Sequence, residues 1–172
     1  MGAEMEGKKH LFLTGRKQVG KSTILRKLLE NYEGVPAGFR TLRIPNEEGC
    51  SVHMFAPGET EFTDANRVFY RHKGVLYLDI ADFDRIGCNL LAKSKGVPLI
   101  LMDELGPTEV NAQKFRRAVW ETLNEAVHVY GVLQMAESDF LDQVASRDDV
   151  LVINVTEENR DELPSLLVQQ GW

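Results

Sequence analysis

The stretch Gly15 to Ser22, GRKQVGKS, constrains this chain more than any other. It fits G-x-x-x-x-G-K-[ST] and stands between an apolar run, Leu11-Phe12-Leu13, and a helical pattern that begins at Thr23. A strand before and a helix after turn that string into a phosphate-binding loop. The glycines let the backbone fold into a ring of N–H donors, and the helix N-terminus adds its positive end. The sequence therefore predicts that Gly15, Arg16, Lys17, Gln18, Val19, Gly20, Lys21, Ser22 and Thr23 bind a nucleotide. Lys21 reaches the β and γ oxygens, and the Ser22 hydroxyl holds Mg2+.

An acidic partner for that metal is expected at the end of a buried strand. Val97 to Met102, VPLILM, is apolar without alternation, the pattern of a strand covered on both faces in a parallel sheet, and it runs into Asp103-Glu104. Ligands of open parallel sheets gather at the carboxyl ends of the strands, which would set Asp103 beside Ser22 as the second metal residue. Glu104 is placed to orient or deprotonate an attacking water, and with Lys21 it is a candidate for catalysis. Asp103 to Gly106 also fits D-x-x-G, but N-K-x-D, the set that reads guanine in small GTPases, is absent from the chain.

The remaining pattern alternates strands and helices. His10 to Thr14 reads as a buried strand, and Lys21 to Glu33 as a helix with Ile24, Leu25, Leu28, Leu29 and Tyr32 at helical spacing. Gly38 to Ile44 and Ser51 to Ala56 are β-rich runs around PNEEG, hairpin chemistry, and two shorter β-rich runs follow at Arg67 to Tyr70 and Gly74 to Ile80. Helices are expected at Ala81 to Lys93, despite Gly87, at Asn111 to Ala126 and around Phe140, Leu141 and Val144. Further strands are expected at Val127 to Leu133 and Val150 to Val155. Thr156 can cap a final helical region, which Pro164 should break. Together these imply one domain, residues 1–172, with a three-layer α/β fold. Its central sheet is mainly parallel, with an antiparallel hairpin excursion, about residues 38–57, after the first helix.

Composition narrows the function classes. A chain of 172 residues can build a two-sided core. A net charge of -6 and a pI near 5.3 argue against a general nucleic-acid or anionic-membrane surface, although positive charge is dense from Lys8 to Lys27. Cys50 and Cys88 form no C-x-x-C pair, and no apolar stretch reaches the roughly 18 residues of a membrane span. A soluble, cytoplasmic protein is the expectation. His10, His53, His72 and His128 are scattered without ligand spacing and read as structural or surface residues. Trp120 and the Phe69-Tyr70 pair could line a base pocket, but core packing is the commoner fate of such residues.

Four blocks carry a resemblance to a known family: TGRKQVGKST, GFRT at Gly38 to Thr41, LILMDELGPTEV with Phe115 following, and NVTEENRD at Asn154 to Asp161. Together they resemble the small P-loop nucleoside-triphosphatases of the cancer-related and thermophile type. The resemblance implies Mg2+-dependent hydrolysis of several nucleoside triphosphates with little base preference, and leaves a nucleotide-kinase-like role open. It makes Lys21 the phosphate lysine, Ser22 and Asp103 the metal side and Glu104 the water-activating acid, and Glu109 matches a further acidic position. The family commonly has Pro-Gly where this chain has Lys17-Gln18. Arg147, before the last strand, is the first choice for a transition-state arginine, with Arg16 and Arg40 as others. Asn159 and Arg160 follow the last strand and are base or lid candidates, against helix capping and surface pairing.

The expected function is thus an enzyme hydrolysing the β-γ bond of nucleoside triphosphates. A nucleotide or small-molecule kinase uses the same machinery but needs an acceptor pocket, and the hairpin is unlike the helical acceptor insert of nucleoside-monophosphate kinases. A nucleotide-dependent partner-binding module is the third reading. The sequence names no protein partner.

Overall fold

A computed structural model describes residues 6–107 and 111–172 of the protein. Glu109 lies outside the described residues. In chain order the elements are β1 (His10–Thr14), α1 (Lys21–Leu29), β2 (Ala37–Asn46), β3 (Gly49–Phe55), β4 (Arg67–His72), β5 (Val75–Leu78), α2 (Ile80–Ala92), β6 (Leu99–Leu105), α3 (Gln113–Glu125), β7 (His128–Leu133), α4 (Asp139–Ala145), β8 (Val150–Asn154) and α5 (Leu163–Gln169). They form one eight-stranded sheet in the order β5-β4-β3-β2-β6-β7-β1-β8. The five strands from β2 to β8 in that order pair parallel, and β2 through β5 pair antiparallel in sequence.

The period-two chemistry of the parallel strands explains the layering. In β1, Leu11 and Leu13 face the layer of α1 and α5, while Phe12 faces that of α2, α3 and α4. In β6, Leu99 and Leu101 join the first layer, and Ile100 and Met102 the second. VPLILM lacks alternation because both faces of its strand are covered by helices.

Two expectations are sharpened. The antiparallel excursion is a four-stranded meander continuous with the central sheet, not a separate hairpin. Ala37–Arg40 of β2 pair with Ile100–Asp103 of β6, and from Arg40 onward β2 pairs with β3. One strand therefore carries the sheet past its own carboxyl edge. The last helix begins afresh at Leu163 with Pro164 in its first turn, where proline's missing N–H costs nothing.

Phe115 on α3 is the hinge pin of the second layer. Its ring meets Phe39 of β2 edge-on at 5.5 Å and Phe83 of α2 at 5.2 Å. The Asp84 carboxylate on α2 accepts the Phe115 backbone N–H at 2.8 Å, capping a helix whose own N-cap, Ala112, cannot. Gly87 is the residue on α2 that lets this ring approach, since a Cβ there would overlap it. Gly87→Ala gains helix propensity worth about 1 kcal/mol, but overlap with a fully buried ring costs more. The expected outcome is a net loss of about 1–2 kcal/mol, read as a lower urea midpoint at unchanged slope.

Candidate nucleotide site

The phosphate-binding loop is held from three sides. β1 is hydrogen-bonded to β7 and β8 along both edges, so its carboxyl end is fixed. Val19 is buried in the α1–α5 layer and anchors the loop from beneath. Gly15, at φ 135°, lies so close to the chain after β8 that any Cβ would overlap the Val155 carbonyl oxygen. Gly20, at φ 117°, is the N-cap of α1 and has no capping side chain, and no acid occupies the first turn. The first-turn N–H groups thus have no protein carboxylate competing for them, the condition for receiving an anion.

Gln18 has φ 63°, a left-handed conformation that costs a non-glycine residue about 1–2 kcal/mol. It occupies the Gly position of the Pro-Gly pair common in the family that the sequence resembles. The backbone turn is kept although the residue that makes it easy is gone.

Lys21 folds back onto the loop, its Nζ donating to the Gly15 and Arg16 carbonyls at 2.8 Å each. Burial holds its pKa below the ordinary lysine value, and the nearby Glu104 carboxylate acts in the opposite direction. The Ser22 hydroxyl donates to Asp103 Oδ1 at 3.3 Å, bringing two hard oxygen donors together. Thr41 of β2 donates to the Asp103 carbonyl at 2.9 Å and fixes the end of β6. Asp103 is 8% exposed, and its pKa is raised to about 6, first by burial, then by the adjacent Glu104. The Ser22 hydroxyl and Arg40 offset this in part. Two neighbouring oxygens, the Ser22 hydroxyl exposed and the Asp103 carboxylate buried with a reluctant negative charge, fit a small divalent cation that completes its shell with phosphate oxygens and water.

In a regular strand Asp103 and Glu104 would point to opposite faces. Here the pairing of β6 with β7 loses register between Met102 and Leu105, and Glu104 takes φ 84°. The bulge re-aims Glu104 into the cleft while Asp103 stays beside Ser22. Such strain at a polar residue in a cleft is the kind found at functional sites.

One cleft of about 680 Å³ is lined by Gly15, Lys17, Gln18, Gly20, Lys21, Ser22 and Thr23, together with Glu104. Three further contributors escaped the sequence reading. Gln134 follows β7, the strand between β1 and β6, and its side chain packs against Gly106. Its only signal in the sequence is its place just past a parallel strand. Arg43 and Arg71 line the opposite wall from β2 and β4, and pairing register, which the sequence does not reveal, puts them there.

Three expectations are corrected. Arg147 precedes β8, at the opposite end of the sheet from the loop, and a five-residue strand spans about 16 Å. Its guanidinium is occupied there. It donates to both Asp149 carboxylate oxygens at 2.8 Å and to Asn124 at 2.9 Å, and lies over the Trp120 ring. Arg147 is therefore a structural clamp. Asn159 is not free to read a base. Its amide accepts from the Thr156 N–H and donates to the Asn154 carbonyl, each at 2.9 Å, and so shapes the chain that presses on Gly15. Arg16 is exposed and close enough to Glu158 to lower that carboxyl's pKa slightly, and Arg160 lies alongside Gly20. Trp120 and Tyr70 are exposed rather than core residues, the latter stacked on Tyr77 at 4.6 Å.

The fold matches what comparison with known proteins finds. The sequence profile described as NTPase matches residues 10–168. The chain belongs to this NTPase family. It is 32% identical over 165 residues to nucleoside-triphosphatase THEP1 of Methanosarcina acetivorans, covering 92% of this chain and 94% of that one. It superposes on the solution structure of a human cancer-related nucleoside triphosphatase with a TM-score of 0.66 at 27% identity, covering 94% of this chain and 96% of that one. The crystal structure of THEP1 from Aquifex aeolicus shares the fold at a TM-score of 0.73 and 19% identity, over 94% and 98% of the two chains. In this NTPase, as in the sequence, no described helix is long and apolar enough to cross a membrane.

Two measurements follow. The Asp103 carboxyl titrates near 3.8 when unfolded and near 6 when folded. Below pH 3.8 both states are protonated and the burial costs nothing; above pH 6 the full cost is present, about 3 kcal/mol. Asp103→Asn should raise the thermal midpoint of nucleotide-free, metal-free protein at pH 7.5, with the gain shrinking to nothing as pH falls from 6 towards 4. Arg147→Ala should lower stability by about 2 kcal/mol and leave turnover at the native rate.

Proposed function

We propose that the protein hydrolyses the β-γ bond of nucleoside 5'-triphosphates, with Mg2+ and with little preference among bases. The observation that carries this is Glu104, turned by the β6 bulge into the same cleft as Lys21 and the phosphate-binding loop. A protein that only binds phosphates needs no carboxylate there.

The free N–H groups of the loop and of the first turn of α1 bind the phosphates. Lys21 exchanges its bonds to the Gly15 and Arg16 carbonyls for β and γ oxygens, whose charge complements its own. Ser22 and Asp103 would hold Mg2+, which when bound neutralises charge on the β and γ oxygens. Glu104 accepts a hydrogen bond from the attacking water, aims its oxygen at the γ phosphorus and takes its proton as the new P–O bond forms. Gln134, at the carboxyl edge between β1 and β6, is within the same cleft and can hold that water's second hydrogen or a γ oxygen.

Weak base preference is supported by Asn159, five residues past the end of β8, whose side-chain amide bonds its own loop. The free thiols Cys50 and Cys88 suit the reducing cytoplasm.

The test is phosphate release from adenosine, guanosine, cytidine and uridine triphosphates, with and without Mg2+. Turnover should require the metal and vary little with the base. Glu104→Gln should slow release at least about 100-fold while still binding triphosphate. Lys21→Ala should lose turnover and weaken triphosphate binding. Native-rate turnover by Glu104→Gln would remove the general base from the scheme.

A further inference from the structure

The cleft is more than a phosphate cradle. Its far wall is the antiparallel meander, and the pairing register fixes what that wall presents. Arg43 stands opposite Val52, which stands opposite Phe69; Cys50 stands opposite Arg71, which stands opposite Leu76. Directly paired residues share a face of a sheet. The two rows are neighbours, and all six residues line the cleft. The result is an apolar floor crossed by two guanidinium groups.

Those charges are unspent. No acidic side chain among the described residues ion-pairs with Arg43 or Arg71. Arg71 donates only to the Gly74 carbonyl, at 3.2 Å. Among the described residues Glu104 is the one acid lining the cleft, in a chain whose net charge is -6. A positive wall inside an acidic protein marks the place for an anionic ligand.

On the triphosphate reading above, the wall lies past the reacting end of the nucleotide. Ser22 and Asp103 mark the β-γ end, and the meander continues the sheet beyond β6 on the side away from the loop. Arg40 pairs with Asp103, and Arg43 is three residues further along β2, about 10 Å. Glu104, the loop and the arginine wall border one continuous space.

We propose that this wall is a second-substrate subsite, taking a small phosphate monoester with a flat apolar body, and that the bound monoester accepts the γ-phosphoryl group. A nucleoside 5'-monophosphate is the simplest such molecule. Its base suits the floor of Val52, Phe69 and Leu76, and its phosphate suits a guanidinium fork. The inference rests on the triphosphate reading above. In the transfer, an ionised oxygen of the acceptor phosphate forms a bond to the γ phosphorus while the bond from that phosphorus to the β-γ bridging oxygen breaks. The bridging oxygen keeps the electron pair. Two diphosphates result, and no proton has to move. Hydrolysis is then the reaction of the same site with its second subsite empty.

The test begins with native protein saturated with Mg2+ and a non-hydrolysable triphosphate analogue. Adenosine, guanosine, cytidine and thymidine monophosphates are titrated into it by calorimetry. Turnover is then followed with γ-labelled triphosphate. At least one monophosphate should bind the filled protein and acquire the label. In the Arg43→Ala, Arg71→Ala double variant that binding should fall at least about tenfold, with label transfer falling in step. Phosphate release to water is followed alongside and should fall less than label transfer does, because transfer alone needs the second subsite filled. The proposal is overturned if no monophosphate binds the filled protein, if one binds without acquiring label, or if binding ignores both arginines. Loss of triphosphate affinity with altered base preference in the double variant would also overturn it, assigning the wall to the triphosphate's own base. Failure of native protein to bind or hydrolyse any triphosphate would instead sink the hydrolase reading, and this inference with it.

Discussion

A strand hydrogen-bonded along both edges and covered on both faces has only its ends left to meet solute. That constraint governs this molecule. β1 lies between β7 and β8, with leucines packed on one side and a phenylalanine on the other. Its carboxyl end is where the backbone can leave the sheet with unpaired donors, and the loop that does so inherits the rigidity of everything beneath it. β6 obeys the same rule two strands away. Its last regular residue, Asp103, stays in the sheet, and the next one breaks pairing and turns outward. Binding and chemistry share one rim because β1 and β6 run parallel and both release their chains at the same carboxyl edge.

Electrostatics at that rim is poised rather than relaxed. Asp103 carries its charge unwillingly, and Lys21 is partly dehydrated, yet the two do not pair with each other. Each is satisfied by a neutral group, a serine hydroxyl on one side and two loop carbonyls on the other. A cation for the acid and an anion for the lysine would relieve both. A metal-bound polyphosphate delivers the two charges in a single molecule, which is a physical reason for such a ligand to be preferred over a simple anion.

How far the sequence could be read follows from the range of each signal. GRKQVGKS and VPLILMDE are contiguous, so each carries its own pattern, and the strands and helices around them are found within a few residues of where periodicity puts them. Arg147 was misplaced because chain order says that it precedes a strand but not which end of the sheet that strand's start occupies. The parallel direction of β8 decides it. Asn159 looked available because a side-chain amide bonding its own turn leaves no periodic trace. The arginine wall was invisible for a further reason. Arg43 and Arg71 come together only through the registers of β2 with β3 and β3 with β4, and register is set by turns and packing rather than by any local string. The bulge at Glu104 likewise belongs to a pairing of two strands, not to either one.

The lysine folded onto its own loop has one more implication. An empty phosphate cradle might be pictured as a row of unmet donors and a loose cation, costly to maintain and ready to seize any anion. Here the ammonium tail is a resident guest, bonded to the carbonyls of Gly15 and Arg16. Entry of a nucleotide is therefore an eviction, in which two good hydrogen bonds are surrendered before stronger ones are made. A lone inorganic phosphate, meeting only part of the cradle, offers less in return for that surrender than a chain of phosphates spanning it. On the proposed function the loop would thereby discriminate by length of ligand without any residue that measures length.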